Sequence, residues 1–233
     1  MAIDNVLLIP RSLKGSRRYT ASNHRFLADP VTLGAGDWWI AFACYHTGVT
    51  GTCRILATGA ANDTADGFRI TYNTTNRIIC SVSDGTARIA NTLDNSTLTP
   101  YAWHWVVWNY DDSANMSVYI DDMSTPVNQE DVTSLGAIGY THANLHIGGF
   151  ATDSLINSRI ARVCIGIGGL WDETARNDWK NNEGVWDDLA AGTKTNVDRY
   201  YMCDERIGDV IDSTATSDGT ETDGPIPSAR RPA

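Results

Sequence analysis

Carboxylates are the first side chains to consider for chemistry, because retaining glycoside hydrolysis needs two of them about 5–5.5 Å apart on one face. The sequence has no strand of the form Glu-x-Asp-x-x-Glu that would supply such a pair. Its glutamates are scattered over turn and helix contexts instead: Glu130, Glu173, Glu183, Glu205 and Glu221. No acid and nucleophile pair can be inferred from this spacing, and we expect the protein not to be an enzyme.

The histidines could in principle serve a metal ion or a catalytic triad: His24, His46, His104, His142 and His146. His142 and His146 are four residues apart but fall in a predicted loop and strand, not on one helix face. No nucleophile-elbow, phosphate-loop or EF-hand spacing occurs in the sequence. We therefore expect ordinary packing and surface histidines.

Tryptophan and tyrosine offer a different chemistry, because sugars stack their apolar faces on aromatic rings while neighbouring polar groups hold their hydroxyls. We predict that one sheet face carries a carbohydrate-binding platform made of Trp39, Tyr45, Trp108, Tyr110 and Tyr119. The alternative is that each tryptophan packs in the core.

The elements that would position these residues are strands, since short apolar or alternating runs from 37 to 167 are broken by turn residues about every ten positions. The pattern predicts an all-β, antiparallel fold. The predicted strands are Trp38–Tyr45, Arg54–Thr58, Phe68–Asn73, Arg77–Ser83, Ala87–Thr92, Trp103–Tyr110, Met116–Asp121, Asn144–Gly148 and Ile160–Ile167.

Two of these strands are apolar on both faces. In Trp38–Tyr45, the odd and even positions are equally hydrophobic, and Trp103–Tyr110 behaves in the same way. Such strands are either central strands covered on both sides or strands whose outer face meets a partner.

After Leu170 the pattern changes to a short helix from Trp171 to Lys180 with Asp172 as its N-cap, and a helical turn is predicted at Val185–Ala190.

Length and composition indicate one domain over residues 1–233, with an N-terminal arm and first strand at 1–36 and an extended C-terminal tail at 213–233. The formal net charge of -10 argues against nucleic acid as a partner. No stretch of about 18 apolar residues predicts a membrane span.

The cysteines lack C-x-x-C spacing and are predicted to be buried free thiols, with a single disulfide as the alternative: Cys44, Cys53, Cys80, Cys164 and Cys203.

Three successive segments resemble the concanavalin A-like, laminin-G-like domains. Trp103–Asp122 matches their pattern of a Trp-led strand, a turn and a strand ending Tyr-Ile-Asp, with Asp122 where glycine is usual. Leu145–Gly149 followed by Ser158–Gly166 resembles a second family segment, and Gly168–Glu173 resembles the small helix after it. The resemblance spans Trp38 to Ala191 and implies a jelly-roll β-sandwich.

The sequence departs from this family in the order of one element. The stretch Val197–Glu205, followed by Asp212, resembles a segment that many members carry near their N-terminus. First and last strands of such sandwiches tend to be neighbours, so a strand could be supplied from either end of the chain.

The sequence predicts no cofactor but leaves calcium open, because domains of this kind often hold Ca²⁺ by oxygen ligands from separate loops. No other cofactor is expected. The candidate ligands are Asp63, Asp66, Asp84, Asp111 and Asp112. Solvated turn aspartates are the alternative interpretation.

Two functions follow as hypotheses. The first is a non-catalytic structural or assembly module, a bacteriophage virion protein for capsid decoration or fibre association, with other virion proteins or further copies of the chain as partners. The second is a lectin-like carbohydrate-binding module that mediates attachment to cell-surface glycans. The N-terminus lacks the charged-then-apolar order of a secretory signal, so we expect synthesis in a host cytoplasm and location in the virion.

Overall fold

The fold is an antiparallel jelly-roll β-sandwich, as predicted, seen in a computed structural model. The structure describes residues 17–19, 25–47, 51–58, 65–86, 88–140, 143–148, 158–203, 214, 220–222 and 226–227. Within these residues the strands are β1 Arg17–Tyr19, β2 Arg25–Ala28, β3 Trp38–His46, β4 Cys53–Ala57, β5 Gly67–Tyr72, β6 Arg77–Ser83, β7 Arg88–Thr97, β8 Trp103–Tyr110, β9 Asn115–Ile120, β10 Asn128–Asp131, β11 Leu145–Ile147, β12 Ser158–Ile167, β13 Val197–Tyr201, β14 Thr220–Thr222 and β15 Ile226–Pro227.

The strands form two sheets. The first has the order β10-β9-β8-β3-β12-β1-β15, with β13 also paired to β12. The second has the order β14-β2-β11-β4-β5-β6-β7. Every strand predicted between 38 and 167 is present, and β6 and β8 have the predicted bounds.

The main core lies between the two sheets. In β3 and β8 one face of each strand contributes to it, with Trp38, Val106, Trp108 and Tyr110 among its buried side chains. Trp38 stacks on Tyr110 with ring centroids 4.6 Å apart and meets Trp108 edge-on at 4.8 Å. Aromatic pairs of this kind stabilise a core beyond the area they bury.

Part of the outer face of the first sheet is covered as well, so β3 and the later residues of β8 are buried on both sides, as expected of central strands. A second hydrophobic cluster on this face joins Trp39, Val107, Trp171, Trp179 and Tyr200. Helix α1, Glu173–Asn181, and the segments around it form the cover. The outer face therefore needs no partner molecule where the helix lies.

Helix α1 begins as the sequence predicts. The Asp172 side chain accepts a hydrogen bond of 2.8 Å from the amide of Ala175, and Glu173 and Lys180 complement the helix dipole in the first and last turns. The predicted helical turn after it is a short 3₁₀ helix, Trp186–Asp188. None of the described helices is long and apolar enough to span a membrane.

An early strand and a late strand of the described residues pair with the same strand, β12. β1 pairs with the first residues of β12, and β13 pairs with its later residues from Val163 onward. The late Val197 segment thus forms a strand, β13, beside β12. The C-terminal tail contributes strands too, since β14 pairs with β2 and β15 with β1. All five cysteines are buried thiols, as predicted.

Candidate functional site

One end of the first sheet brings together aromatic and basic side chains on its outer face. The antiparallel register places Trp103 of β8 opposite Tyr45 of β3, and Tyr45 opposite Arg159 of β12. The Trp103 and Tyr45 ring centroids are 5.8 Å apart, and the Arg159 Cζ atom lies 5.9 Å from the Tyr45 centroid. We call these three residues the aromatic row.

The next row of the sheet leaves space for the indoles. Ala43 lies opposite both Trp105 and Ala161, and the two alanines are fully buried. Methyl side chains take little room above the sheet, and Trp103 and Trp105 pack against them while staying partly exposed. Trp105 also meets Trp179 of α1 edge-on at 4.8 Å. The surface next to the aromatic row is therefore also largely aromatic.

Tyr101 adds an exposed ring beside the aromatic row. It is 61% exposed and has a φ of 67°, in the left-handed region that bulky residues rarely adopt. Its amide donates a 2.8 Å hydrogen bond to the carbonyl of His46, which holds the turn to the end of β3. Strained backbone of this kind clusters at binding sites.

Two polar atoms of the aromatic row have no hydrogen-bond partner. They are the Tyr45 hydroxyl and the Trp103 Nε1 atom, and both are buried. Burial raises the pKa of Tyr45, an effect that Arg159 opposes and Tyr101 reinforces, so this hydroxyl is neutral. Several core side chains share this state, among them Trp38 Nε1, Trp108 Nε1 and the Tyr110 hydroxyl.

His104 lies at the same end of the sheet, and its side chain is on the face opposite Trp103 and Trp105. Its Nδ1 atom lies 2.7 Å from Asp121 Oδ2, and its Nε2 atom lies 2.9 Å from the carbonyl oxygen of Thr99. Both partners can only accept, so both ring nitrogens donate and the imidazole is charged. Although burial lowers the pKa of His104, its hydrogen bonds to Asp121 and Thr99 raise it overall.

Asp121 is itself fixed by several bonds. Its Oδ1 atom accepts from the Trp105 amide at 2.9 Å, and Lys180 donates to its backbone carbonyl. Burial acts to raise the pKa of Asp121, but the hydrogen bonds from His104 and Trp105 lower it below its usual value. This carboxylate is therefore ionised and occupied by protein donors.

His46 and Cys44 lie nearby but offer no reactive group. Burial and the positive charge of His104 lower the pKa of His46 to about 4, and its ring accepts or donates at 2.6 Å to the Tyr72 hydroxyl. Cys44 lies opposite His104 across the strands, and burial raises the pKa of its thiol. A protonated thiol is a weak nucleophile, so this cluster positions groups and does not attack a substrate.

The pKa shifts of the two histidines predict how the free energy of unfolding varies with pH. Since His46 is held neutral, stability should fall by about 3 kcal/mol as the pH drops from 6.5 to about 4. The raised pKa of His104 contributes stability that is present below pH 6.5 and lost as the pH rises through its folded value. Urea unfolding across this range should show a maximum near the ordinary histidine pKa.

The variant His46→Gln isolates the acid side of this profile. Glutamine cannot titrate, so the decrease in stability between pH 6.5 and 4 should become shallower while the alkaline side is unchanged. Identical acid slopes in the wild type and the variant would show that His46 is not the group responsible.

The predicted five-residue platform is not what the structure shows. Trp108 and Tyr110 lie fully buried between the sheets, on the face opposite Trp39. Trp39 is fully buried under Trp171, and Tyr119 is covered by the Arg176 guanidinium, 3.8 Å from its ring centroid. Tyr45 alone belongs to the candidate site, and sequence analysis missed Tyr101, Trp103 and Arg159 as its neighbours.

The candidate calcium ligands accept hydrogen bonds from backbone amides. Asp66 accepts from Gly139 at 2.7 Å, Asp84 from Gly136 at 2.8 Å, and Asp111 from Ser113 at 3.0 Å. The amide of Asp112 donates to Asp37, and Asp63 lies outside the described residues. In the part of the chain that the structure describes, no three His, Cys, Asp or Glu side chains are grouped as metal ligands.

No family model and no curated protein matches the sequence, whereas solved structures match the fold. A protein from Bacteroides ovatus provisionally described as a carbohydrate-binding protein has a TM-score of 0.61 at 15% identity, covering 91% of this chain and 62% of that one. Domains LG4-5 of the mouse laminin α1 chain give 0.54 at 14%, covering 74% and 46%. A heptameric SAP-like pentraxin from Limulus polyphemus gives 0.51 at 9%, covering 72% and 82%.

These similarities establish the fold. At 15% identity or less, they do not carry a ligand or a site from one protein to another. The chain spans less than two thirds of the length of the Bacteroides and laminin structures. The fold that they share with this chain is the lectin-like jelly roll expected from the sequence.

Proposed function

We propose that this chain is a non-catalytic carbohydrate-binding module whose ligand stacks on Tyr101 and Trp103 beside Tyr45 and Arg159. The observation that carries the proposal is the exposed Tyr101 ring, held at a positive φ next to the aromatic row. The described carbohydrate-binding role of the Bacteroides protein with this fold supports it.

The chemistry of the site fits a sugar. Aromatic rings offer flat apolar surface to the C–H face of a pyranose, and nearby polar groups orient its oxygens. The Arg159 guanidinium lies beside the Tyr45 ring, with its Cζ atom 5.9 Å from the ring centroid. The site therefore combines aromatic stacking surface with a nearby positive charge.

Binding without catalysis is supported by the state of the nearby groups. Asp121 is ionised and bonded to His104 and Trp105, and the Cys44 thiol is protonated. A hydrolase would need an acid and a nucleophile or base free to act on the glycosidic bond. None of these groups is placed for that role.

Replacing the exposed rings should abolish most of the binding. A glycan array identifies a ligand, and calorimetry then measures its affinity for Tyr101→Ala and Trp103→Ala. We expect each variant to bind at least about tenfold more weakly, which corresponds to about 1.4 kcal/mol. Tyr101→Phe keeps the ring and should retain most of the affinity.

Tyr140→Ala is the matched control, because Tyr140 is also an exposed tyrosine, at 43%, but follows Gly139 in a different part of the fold. Its affinity should equal that of the wild type. A silent glycan array, or a ligand whose affinity depends on Tyr140 and not on Tyr101, would contradict the proposal.

The structural role in a virion stays a prediction from the sequence, as do the virion location, the partner copies and the use of calcium. The fold serves binding and assembly equally well. The exposed aromatic site is the feature that favours a glycan ligand.

A further inference from the structure

His104 links three segments at the base of the candidate site. Its Nε2–H group donates to the carbonyl of Thr99, in the turn that leads to Tyr101, and its Nδ1–H group donates to Asp121 after β9. Asp121 in turn accepts from the amide of Trp105, two residues beyond the aromatic row in β8. One imidazolium therefore connects the Tyr101 turn to the strands that carry the indoles.

We propose that His104 is a positioning residue whose two donated hydrogen bonds hold the turn that presents Tyr101, so that ligand binding at this site weakens as the pH rises. The inference rests on the proposed function, since it concerns the regulation of the same site. A neutral imidazole has a single N–H group and can keep only one of the two bonds.

The bond to Thr99 is the one that is lost. A carboxylate accepts a stronger hydrogen bond than a peptide carbonyl, so the remaining proton stays on Nδ1 facing Asp121. The Nε2 atom then presents a lone pair to the Thr99 oxygen, and two acceptors repel each other. The Tyr101 amide keeps its bond to His46, so the turn loosens but stays attached.

Several titratable groups around His104 have shifted pKa values of their own. The pKa of His46 lies at about 4, the pKa of Asp121 is below its usual value, and burial raises the pKa of both Cys44 and Tyr72. Lys180 reaches the backbone carbonyl of Asp121 from α1. His46, Cys44 and Asp121 are the neighbours of His104: the two imidazole centroids are 6.4 Å apart, Cys44 lies opposite His104 across the strands, and Asp121 accepts its hydrogen bond. Tyr72 and Lys180 lie one step further away, bonded to His46 and to the Asp121 carbonyl.

The first readout is affinity against pH with an uncharged glycan as the probe. For the wild type we expect the affinity to fall about three- to tenfold between pH 6 and pH 9. His104→Gln, which keeps an amide donor but cannot titrate, should bind more weakly at pH 6 and show no such change. A flat wild-type profile, or an equal slope in His104→Gln, would overturn the proposal.

The second readout needs no ligand. Amide hydrogen exchange, expressed as protection factors, should show that Thr99, Tyr101 and Ala102 of the wild type lose protection as the pH rises, while β6 does not. In Asp121→Asn the loss should occur at lower pH, because the carboxylate that favours the imidazolium is gone. This variant also tests the proposal if His104→Gln does not fold.

The two readouts separate the hypotheses. Loss of protection with no glycan bound would overturn the proposed function and support the positioning role of His104. Glycan binding through Tyr101 with protection factors independent of pH would overturn the positioning role and leave the proposed function in place.

Discussion

Gly166→Ala is expected to lower the free energy of unfolding by about 3 kcal/mol or more, the upper range for forced overpacking of a core. Gly166 lies opposite Trp39 in the pairing of β12 with β3. A Cβ atom at this position would come closer than 3.0 Å to the Cε2, Nε1 and Cζ2 atoms of the Trp39 indole. Trp39 cannot retreat, because it stacks on Trp171 with ring centroids 3.6 Å apart.

Urea unfolding measures this effect, with near-ultraviolet circular dichroism reporting the tryptophan environment. Gly192→Ala is the matched control: no atom would lie within 4 Å of its added Cβ and its φ is not in the left-handed region. It should stay within about 0.5 kcal/mol of the wild type. A Gly166→Ala protein as stable as this control would mean that Trp39 does not lie against Gly166.

The position of Trp39 matters for function, because the sequence predicted that its ring binds a sugar. If Trp39 is locked between Gly166 and Trp171, it supports the sheet and cannot stack on a glycan. The glycan then has to use the far end of the same sheet face, where α1 gives way to the aromatic row. The stability of Gly166→Ala therefore tests whether Trp39 is fixed in the sheet. The glycan affinity of Tyr101→Ala tests whether the glycan binds beside the aromatic row.

Local patterns in the sequence were enough to predict most of the fold. Alternation in Trp38–His46 indicates a strand with two apolar faces whatever its partners are, and the Asp172 side chain marks the start of α1 without reference to the rest of the chain. Asn128–Asp131 gave no such signal, because it is polar throughout and becomes β10 only by pairing with β9. Its strand conformation depends on a tertiary contact.

The residues of the candidate site could not be predicted from the sequence alone. Alternation shows that Trp108 and Trp103 point to opposite faces, but it does not show which of them shares a face with Tyr45. The pairing of Tyr45 with Trp103 fixes that choice, and it puts Trp108 in the core. The positive φ of Tyr101 likewise arises from the closure of its turn onto His46.

Arg176→Met should destabilise the protein by about 3 kcal/mol, because a buried charged donor that serves two carbonyls is removed. The Arg176 Nε atom donates to the Met123 carbonyl at 2.8 Å, and Nη1 donates to the Trp171 carbonyl at 2.5 Å. Its guanidinium also lies over the ring of Tyr119 of β9. Trp171 keeps a second donor in Asn109, whereas we expect the carbonyl of Met123 to lose its partner.

We expect the loss of Arg176 to affect the candidate site as well, through helix α1. Arg176 fastens the helix to the outer face of the sheet, and Trp179 of the same helix packs against Trp105 next to the aromatic row. Loosening the helix should therefore weaken glycan binding as well as stability, in contrast to Tyr101→Ala, which should weaken binding alone. Thr174→Ala, on the exposed side of α1, serves as the control for changes in the helix itself.

Chemical denaturation and calorimetry on the same preparations distinguish these effects. Arg176→Lys keeps the charge but has no planar fork to reach both carbonyls, so its stability should lie between those of Arg176→Met and the wild type. If Arg176→Met is as stable as Thr174→Ala, the cover formed by α1 is not held by this guanidinium. If it is destabilised yet binds glycan with wild-type affinity, the aromatic row is positioned by the sheet and His104 without help from the helix.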